Sequence, residues 1–337
     1  MRAIVQDKYG SPDDVLELRE IEKPVVEDDE VLVHVRAASV HPDVWHVVTG
    51  RPYILRLMGA GVFRPKNPIP GTDVAGIVES VGKDVTRFGP GDEVFGETRM
   101  EHQWQNGGAY AEYVSVPQDV LALKPNGITF EQAASVPTSG FIALQNLQGG
   151  GQIQPGQRVL INGAGGGVGT IAVQLAKAYG AHVTGVDNTE KMEMILSLGA
   201  DHVIDYTQED FTQRDERYDL ILDVASNLSL TACKRVLMPN GVYILIGHDH
   251  YGDATGPIFG SLPRFLMLSA LSPFVSQIPD MNFSLLSKGE AMAVLAGFIE
   301  VGKLTPIIDR TYPLEEVHET MRYLQWGRPH GKIIITP

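Results

Sequence analysis

Eight residues constrain this chain more than any others: Asn162-Gly163-Ala164-Gly165-Gly166-Gly167-Val168-Gly169. They lie between an apolar run, Arg158 to Asn162 (RVLIN), and a stretch of helical spacing, Val168 to Tyr179. In that stretch Val168, Ile171, Ala172, Leu175 and Ala176 share one face. A second strand follows at His182 to Asp187. Strand, glycine-rich turn, helix and strand in this order predict a phosphate-binding turn rather than a flexible loop. Gly163 is read as serving the tight turn, and Gly166 as letting a pyrophosphate approach the backbone. Gly169 is read as letting the helix pack closely on the sheet. Gly167 and Val168 open the helix, where unpaired N–H groups and the positive end of the dipole favour anions. A methyltransferase-type sheet shares a glycine-rich first turn and an acidic second strand end, and it stands as the alternative to a dinucleotide site.

Asp187 closes the second strand, 18 positions after Gly169. A carboxylate there bonds adenosine ribose hydroxyls and repels a 2′-phosphate, which favours NAD(H) over NADP(H). Lys191 follows closely and is read either as offsetting that repulsion or as an ordinary solvated helix charge.

The alternation continues around this turn. Glu190 to Leu198 reads as a helix, and Tyr218 to Val224 and Gly241 to Ile246 as strands. Strands alternating with helices over such a length imply a parallel sheet covered on both faces. The first 125 residues instead carry short β-branched runs and turns: Val31 to Val35, Ala75 to Val81, and Gly89-Pro90-Gly91-Asp92 before Glu93-Val94-Phe95. Beyond about Leu285 come two helices, Gly289 to Val301 and Leu314 to Leu324, and a terminal strand, Gly331 to Thr336. The expected organisation is a β-rich domain of residues 1–125 and 265–337, split by an inserted nucleotide-type domain of residues 126–264.

At 337 residues the chain is long enough for two cores, and 27 basic against 41 acidic residues give a formal net charge of −14. That surface repels phosphate backbones, so nucleic acid is not an expected partner. A single cysteine, Cys233, excludes an intramolecular disulfide framework and a zinc site built from several cysteines. MRAIVQDKYG carries no apolar run of signal-peptide length before Asp7 and Lys8, so a cytoplasmic location is expected. The most apolar stretch, Pro257 to Pro279, is interrupted by Pro263, Arg264 and Pro273 and is too short to span a bilayer. It is read as a dimer contact or as a lid over an apolar substrate, with no stable membrane insertion.

Several segments carry a family resemblance. They are Pro70 to Gly96, Ser135 to Leu147 (SVPTSGFIALQNL), the glycine-rich turn, Ser197 to Tyr206 (SLGADHVIDY) and Gly331 to Thr336 (GKIIIT). Together they resemble the medium-chain dehydrogenase/reductase superfamily in its zinc-independent quinone oxidoreductase-like branch. The resemblance implies an α/β architecture: a GroES-like catalytic domain made of both termini, an inserted Rossmann domain with a doubly wound parallel sheet, and a cofactor cleft between them. It also implies a homodimer, formed through the sheet edge near Gly241 to Ile246.

Departures from the zinc-dependent alcohol dehydrogenases matter here. Where those enzymes carry cysteine, a Gly-His-Glu motif and a second cysteine, this chain has His41, Gly71-Thr72-Asp73 and Ser139. One histidine cannot assemble a three-ligand zinc site, so no metal is expected there. The polar run His248-Asp249-His250-Tyr251 is read as a loop rather than a metal site, and His102, His318 and His330 as surface or packing residues.

Without a Lewis acid the fitting chemistry is hydride delivery to an electron-poor acceptor, a quinone or the C=C bond of an α,β-unsaturated carbonyl. The resemblance places His41 in the active-site segment, as a proton or hydrogen-bond donor titrating near neutrality or as a structural histidine. Trp45, with Tyr53, is read as a substrate wall or as core. Thr138 resembles a threonine that bonds the nicotinamide region, with a helix-cap hydroxyl as the plain reading. Tyr206 resembles a tyrosine at the adenosine phosphate end of NADPH-using relatives, which pulls against Asp187. Ala225 and Gly247, past the ends of two later strands, complete the cofactor-binding set. NAD(P)H is thus the expected cofactor, with dehydrogenation of a small alcohol and a nucleotide-binding protein of little turnover as the alternatives.

Overall fold

The computed structural model describes residues 1–99, 105–247, 259, 262–279, 286–327 and 329–337. Two sheets organise them. The larger draws strands from both ends of the chain: β3 (Glu30–Val40), β4 (Asp73–Val81), β5 (Glu93–Glu97), β6 (Tyr113–Pro117), β7 (Leu121–Leu123), β13 (Ile308–Pro313) and β14 (Lys332–Thr336). Their order is β13-β14-β3-β4-β5-β7, with β6 paired to β3. Pairing is antiparallel except between β13 and β14. A small ribbon of β1 (Arg2–Val5) and β2 (Glu17–Glu20) accompanies it.

The second sheet is wholly parallel: β8 (Arg158–Asn162), β9 (His182–Asp187), β10 (His202–Asp205), β11 (Tyr218–Asp223) and β12 (Leu237–Leu245). Its order, β10-β9-β8-β11-β12, reverses direction between β8 and β11. That reversal opens a crevice at the carboxyl ends of those two strands, where ligands bind in doubly wound sheets. The architecture is a GroES-like β-rich domain with an inserted Rossmann-type parallel sheet.

Helices join the two sheets. Those at Pro137–Gln145, Gly167–Ala178 and Lys288–Glu300 bury Leu144, Ile171, Leu175, Met292 and Leu295 in one apolar cluster. Phe95 and Ile334 of the large sheet and Val159 and Leu220 of the parallel sheet belong to the same cluster. The lobes therefore share a continuous core, which holds the crevice between them in register.

One helix inside the β-rich lobe was not anticipated. Pro42–Thr49 begins at Pro42, whose fixed φ suits a first helical position, and ends at Gly50 in the left-handed region with φ 63°. Its sequence, PDVWHVVT, carries three valines and a threonine of low helix propensity, and burial of seven of its eight residues outweighs that propensity. This helix carries His41 at its amino cap. The read helix at Glu190 to Leu198 divides into a 3₁₀ turn, Thr189–Lys191, and a helix, Met192–Ser197.

Candidate active site

At the glycine-rich turn, backbone geometry does the shaping. Gly163 has φ 87°, a conformation that L side chains rarely adopt. Its N–H and that of Ala164 both donate to the Val186 carbonyl, tying the turn to β9 (2.9 and 3.1 Å). A side chain on Gly169 would put Cβ 2.1 Å from the Gly163 carbonyl oxygen, so only glycine permits this approach of helix to turn. Gly166 is open by contrast: a Cβ there meets nothing nearer than 3.7 Å.

The helix Gly167–Ala178 has no side-chain cap. The N–H groups of Gly167, Val168 and Gly169 lie in its first turn, beyond reach of an intrahelical acceptor. An open glycine face below unpaired amides fits a pyrophosphate, and with it a dinucleotide. The far wall of the crevice is Ala225, whose N–H donates to the Asn162 carbonyl (3.1 Å). Gly247 belongs to the same wall; a Cβ on it would lie 1.9 Å from the Val224 carbonyl.

Asp187 does not present its carboxylate openly to this crevice. Its Oδ2 accepts the Gly165 N–H (2.8 Å) and its Oδ1 the Asn188 N–H (2.9 Å). Lys191 Nζ stands 3.5 Å from Oδ1, and both side chains are buried. Two sequence readings change accordingly. Lys191 is not a solvated helix charge, because it is folded against the turn. Asp187 is first of all a brace for Gly165, since a buried carboxylate that accepts backbone N–H groups is satisfied where it stands. Tyr206 donates its N–H to the Asp187 carbonyl (3.1 Å) and leaves its ring half-exposed at the same end.

The other end of the crevice is built from side chains of distant segments. Register places them together: Ser39 of β3 pairs with Asp73 of β4, and Ile333 of β14 pairs with Val40. Asp73, fully buried, accepts Ser39 Oγ (2.6 Å) and Lys332 Nζ (3.3 Å) on Oδ2. On Oδ1 it accepts the Thr138 N–H (3.1 Å) and Thr138 Oγ1 (2.5 Å). Burial alone would raise the Asp73 pKa, but the Lys332 and His41 side chains and the Ser39 and Thr138 hydrogen bonds outweigh it and hold the group ionised. Thr138 thus holds Asp73 with the hydroxyl that sequence reading aimed at a nicotinamide.

His41 shares a 2.6 Å hydrogen bond between Nε2 and Thr72 Oγ1, with Nδ1 3.7 Å from Asp43. Burial drives its pKa down to about 4, against the pull of Asp73, so the ring is neutral at pH 7. The premise of a histidine titrating near neutrality is corrected here; what His41 offers is a neutral imidazole with a hydroxyl partner. Trp45 is buried among Val44, Val48 and Tyr110, where its weight is core packing rather than a substrate wall. Tyr53 is half-exposed.

The two ends meet at the last strand. Gly331 N–H donates to the Gly165 carbonyl (3.0 Å) and bridges Gly166. The Lys332 stem crosses Gly167, where a Cβ would lie 2.8 Å from Lys332 Cδ and 3.2 Å from Ser139 Oγ. Lys332, Asp73 and Ser39 are the residues that motif reading passed over. A signal existed: Lys332 is a charge inside the apolar run GKIIIT, and Asp73 a charge opening DVAGIV.

Comparison with known proteins decides the family. Residues 27–126 match the alcohol dehydrogenase GroES-like domain, and residues 198–335 match the zinc-binding dehydrogenase family. The chain is 32% identical over its whole length to a 2-methylene-furan-3-one reductase of Solanum lycopersicum, covering 79% of that protein. It is 31% identical to a quinone oxidoreductase of Sus scrofa, across 99% of this chain and 97% of that one. The solved quinone oxidoreductase of Coxiella burnetii superposes with a TM-score of 0.82 at 26% identity, covering 100% of this chain and 99% of the other. The chain belongs to the medium-chain dehydrogenase/reductase superfamily, in its zinc-independent quinone oxidoreductase-like branch. It is an oxidoreductase.

Within this superfamily the three positions read as departures from the zinc enzymes carry His41, Thr72 and Ser139, the first two bonded to each other. Among the described residues no three His, Cys, Asp or Glu side chains are grouped to hold a metal. His102 and the run His248 to Tyr251 lie outside the described residues. His318 is half-buried beside Glu319 (3.6 Å).

Proposed function

We propose that this chain reduces quinones or the C=C bond of α,β-unsaturated carbonyls with NADPH, in a cleft between residues 126–264 and the lobe of residues 1–125 and 265–337. One observation carries the reading: an open, backbone-built anion cradle at Gly163–Gly169 is joined through Gly331 and Lys332 to a buried, uncharged His41–Thr72 pair. Bound with its pyrophosphate on the helix amino end, a reduced nicotinamide supplies hydride to the acceptor. The work left to the protein is to place the acceptor and to stabilise the oxygen on which negative charge collects. With the single imidazole proton donated from Nε2 to Thr72 Oγ1, the Thr72 hydroxyl is left as the donor to that oxygen, and no metal is required. Lys332 and Asp73 brace this end of the cleft, and the proton that completes the reduction comes from solvent.

The choice of NADPH rests on Lys191 and Tyr206. With Asp187 turned to Gly165 and partly neutralised by Lys191, the repulsion of a 2′-phosphate is reduced. An Arabidopsis thaliana relative, 32% identical, is named NADPH-dependent alkenal/one oxidoreductase. The outer position of β12 in its sheet supports a homodimer, and a cytoplasmic location remains part of the proposal. Loss of reduced-nicotinamide absorbance, with NADPH and NADH each tested against a simple quinone and an enone, checks the reading. Oxidation of NADPH by either acceptor is expected; no oxidation in any of the four mixtures would overturn it.

A further inference from the structure

A second surface follows, in sequence, the helix capped by His41. Between Val44 and Thr72 there is no aspartate or glutamate, while Arg51, Arg56, Arg64 and Lys66 are all present. The segment carries a formal +4 in a chain whose total is −14, leaving −18 for everything else. The same segment holds a group of exposed apolar side chains: Tyr53, Leu57, Met58, Val62 and Phe63, with Leu57 70% and Phe63 91% exposed. Exposed apolar side chains elsewhere on this lobe, such as Val25, Leu123 and Trp326, stand singly along the sequence, whereas here five fall between Tyr53 and Phe63, a grouping that calls for a partner.

This knob is built, not loose. Leu55, Ala60 and Pro65 are buried beneath it. Tyr9 Oη donates to the Gly61 carbonyl (2.6 Å) and Arg56 Nε to the Gly50 carbonyl (2.9 Å). The Arg56 guanidinium lies 4.3 Å from the centre of the Tyr9 ring and 4.8 Å from that of Tyr53. Lys66 N–H donates to the Ala60 carbonyl (3.0 Å), closing the loop at its base. The fold therefore holds Leu57 and Phe63 outward, with exposed Arg64 and Lys66 next to them.

We propose that residues 53–66 form a peripheral docking surface for an anionic lipid bilayer. Apolar tips enter the headgroup–acyl boundary while flanking cations pair with lipid phosphates, which is how proteins lie on a membrane without spanning it. Charge selects the face: the −18 remainder is repelled by an anionic surface, so this cationic segment is the one that can approach it. A second copy of the chain, which carries acidic residues and other exposed apolar side chains, is the alternative occupant that the oligomer measurement below decides. The benefit of docking rests on the proposed function, since quinones and enones with long apolar tails reside in bilayers. The docking itself does not, and it is read without turnover.

Co-sedimentation of the full chain with vesicles separates the outcomes. Vesicles of phosphatidylcholine alone are compared with vesicles containing phosphatidylserine, at low and high salt. Binding to the anionic vesicles, weakened by salt, is expected. The Leu57→Ser/Phe63→Ser variant should lose about tenfold or more of that binding, and Arg64→Gln/Lys66→Gln a similar factor. Both variants change only exposed side chains, so thermal unfolding and oxidation of NADPH by a short-chain quinone should match the wild type. Absence of binding to either vesicle overturns the proposal, as does binding that neither variant weakens. A wild-type oligomer that Leu57→Ser/Phe63→Ser dissociates, without any vesicle binding, would assign the face to self-association instead. A raised KM for the soluble quinone with vesicle binding unaltered would make the knob part of the cleft and also overturn it. Failure of NADPH turnover with vesicle binding intact would remove only the reason for docking.

Discussion

The two ends of the cleft are made of different materials. At the phosphate end the working parts are backbone: a positive-φ glycine, an open glycine and the free amides of one helix, all within residues 163–169. At the proposed acceptor end they are side chains, with Ser39, His41, Thr72, Asp73, Thr138 and Lys332 drawn from four separate segments. Only proline removes a backbone amide, so that end fails chiefly when its shape is violated. The acceptor end fails whenever one partner of a buried pair is removed. The different materials teach that the glycine-rich turn is tolerant in chemistry and strict in geometry, while the buried side-chain cluster is strict in chemistry.

Gly169→Val should have the largest effect. Its Cβ has no room against Gly163 and Ala164, so the helix must leave the turn. Cofactor affinity should fall at least about a hundredfold, together with several kcal/mol of stability; titration by nucleotide fluorescence checks it, and unchanged affinity would refute the phosphate-turn assignment. Asp73→Ala follows. It strands Lys332 in a buried site, and denaturant unfolding should show a loss of about 3–5 kcal/mol. Asp73→Asn/Lys332→Met, which removes both charges, should recover much of that; equal losses in both variants would show that the pair matters through packing and not charge.

His41 gives a pH-dependent contrast. Its folded pKa of about 4 lies below the ordinary 6.5, so the unfolded chain binds the extra proton first. Stability from this group is therefore present above about pH 6.5 and is lost as pH falls toward 4. At pH 5 the loss amounts to about 2 kcal/mol relative to pH 7. His41→Asn should flatten that part of the profile in denaturant midpoints; an unaltered slope would mean the acid sensitivity resides elsewhere. The smallest effect is expected at the adenosine end. Lys191→Met should raise the KM for NADPH about tenfold with little change for NADH, and Asp187→Ser should shift preference toward NADPH by a smaller factor. No change in the ratio would mean that neither side chain approaches the 2′ position.

These contrasts follow how legible each end is in the sequence. The turn can be read from the chain because its parts are neighbours, and strand, glycines and helix are all reported by local spacing. The parallel order of the sheet follows from the same alternation. Lys332 and Asp73 sit 259 positions apart, and nothing in local spacing couples them. Thr138 and His41 are visible as residue types, but their partners are not, so one was assigned to the nicotinamide and the other to a neutral-pH titration. Asp187 shows the same limit at shorter range: its place at a strand end is evident, and its orientation toward Gly165 is not.

What the sequence alone determined is therefore the chain's local grammar: a phosphate-type turn on a parallel sheet, a β-rich lobe around it and the lack of a zinc ligand set at His41, Thr72 and Ser139. Those features depend on φ preferences, side-chain period and residue type, each read within a few positions. Only the tertiary structure decided the protonation of His41, the pairing of Asp73 with Lys332 and the burial of Lys191 against Asp187. Each of those depends on desolvation and on partners from remote segments, and water is excluded from a group only once the chain has closed around it.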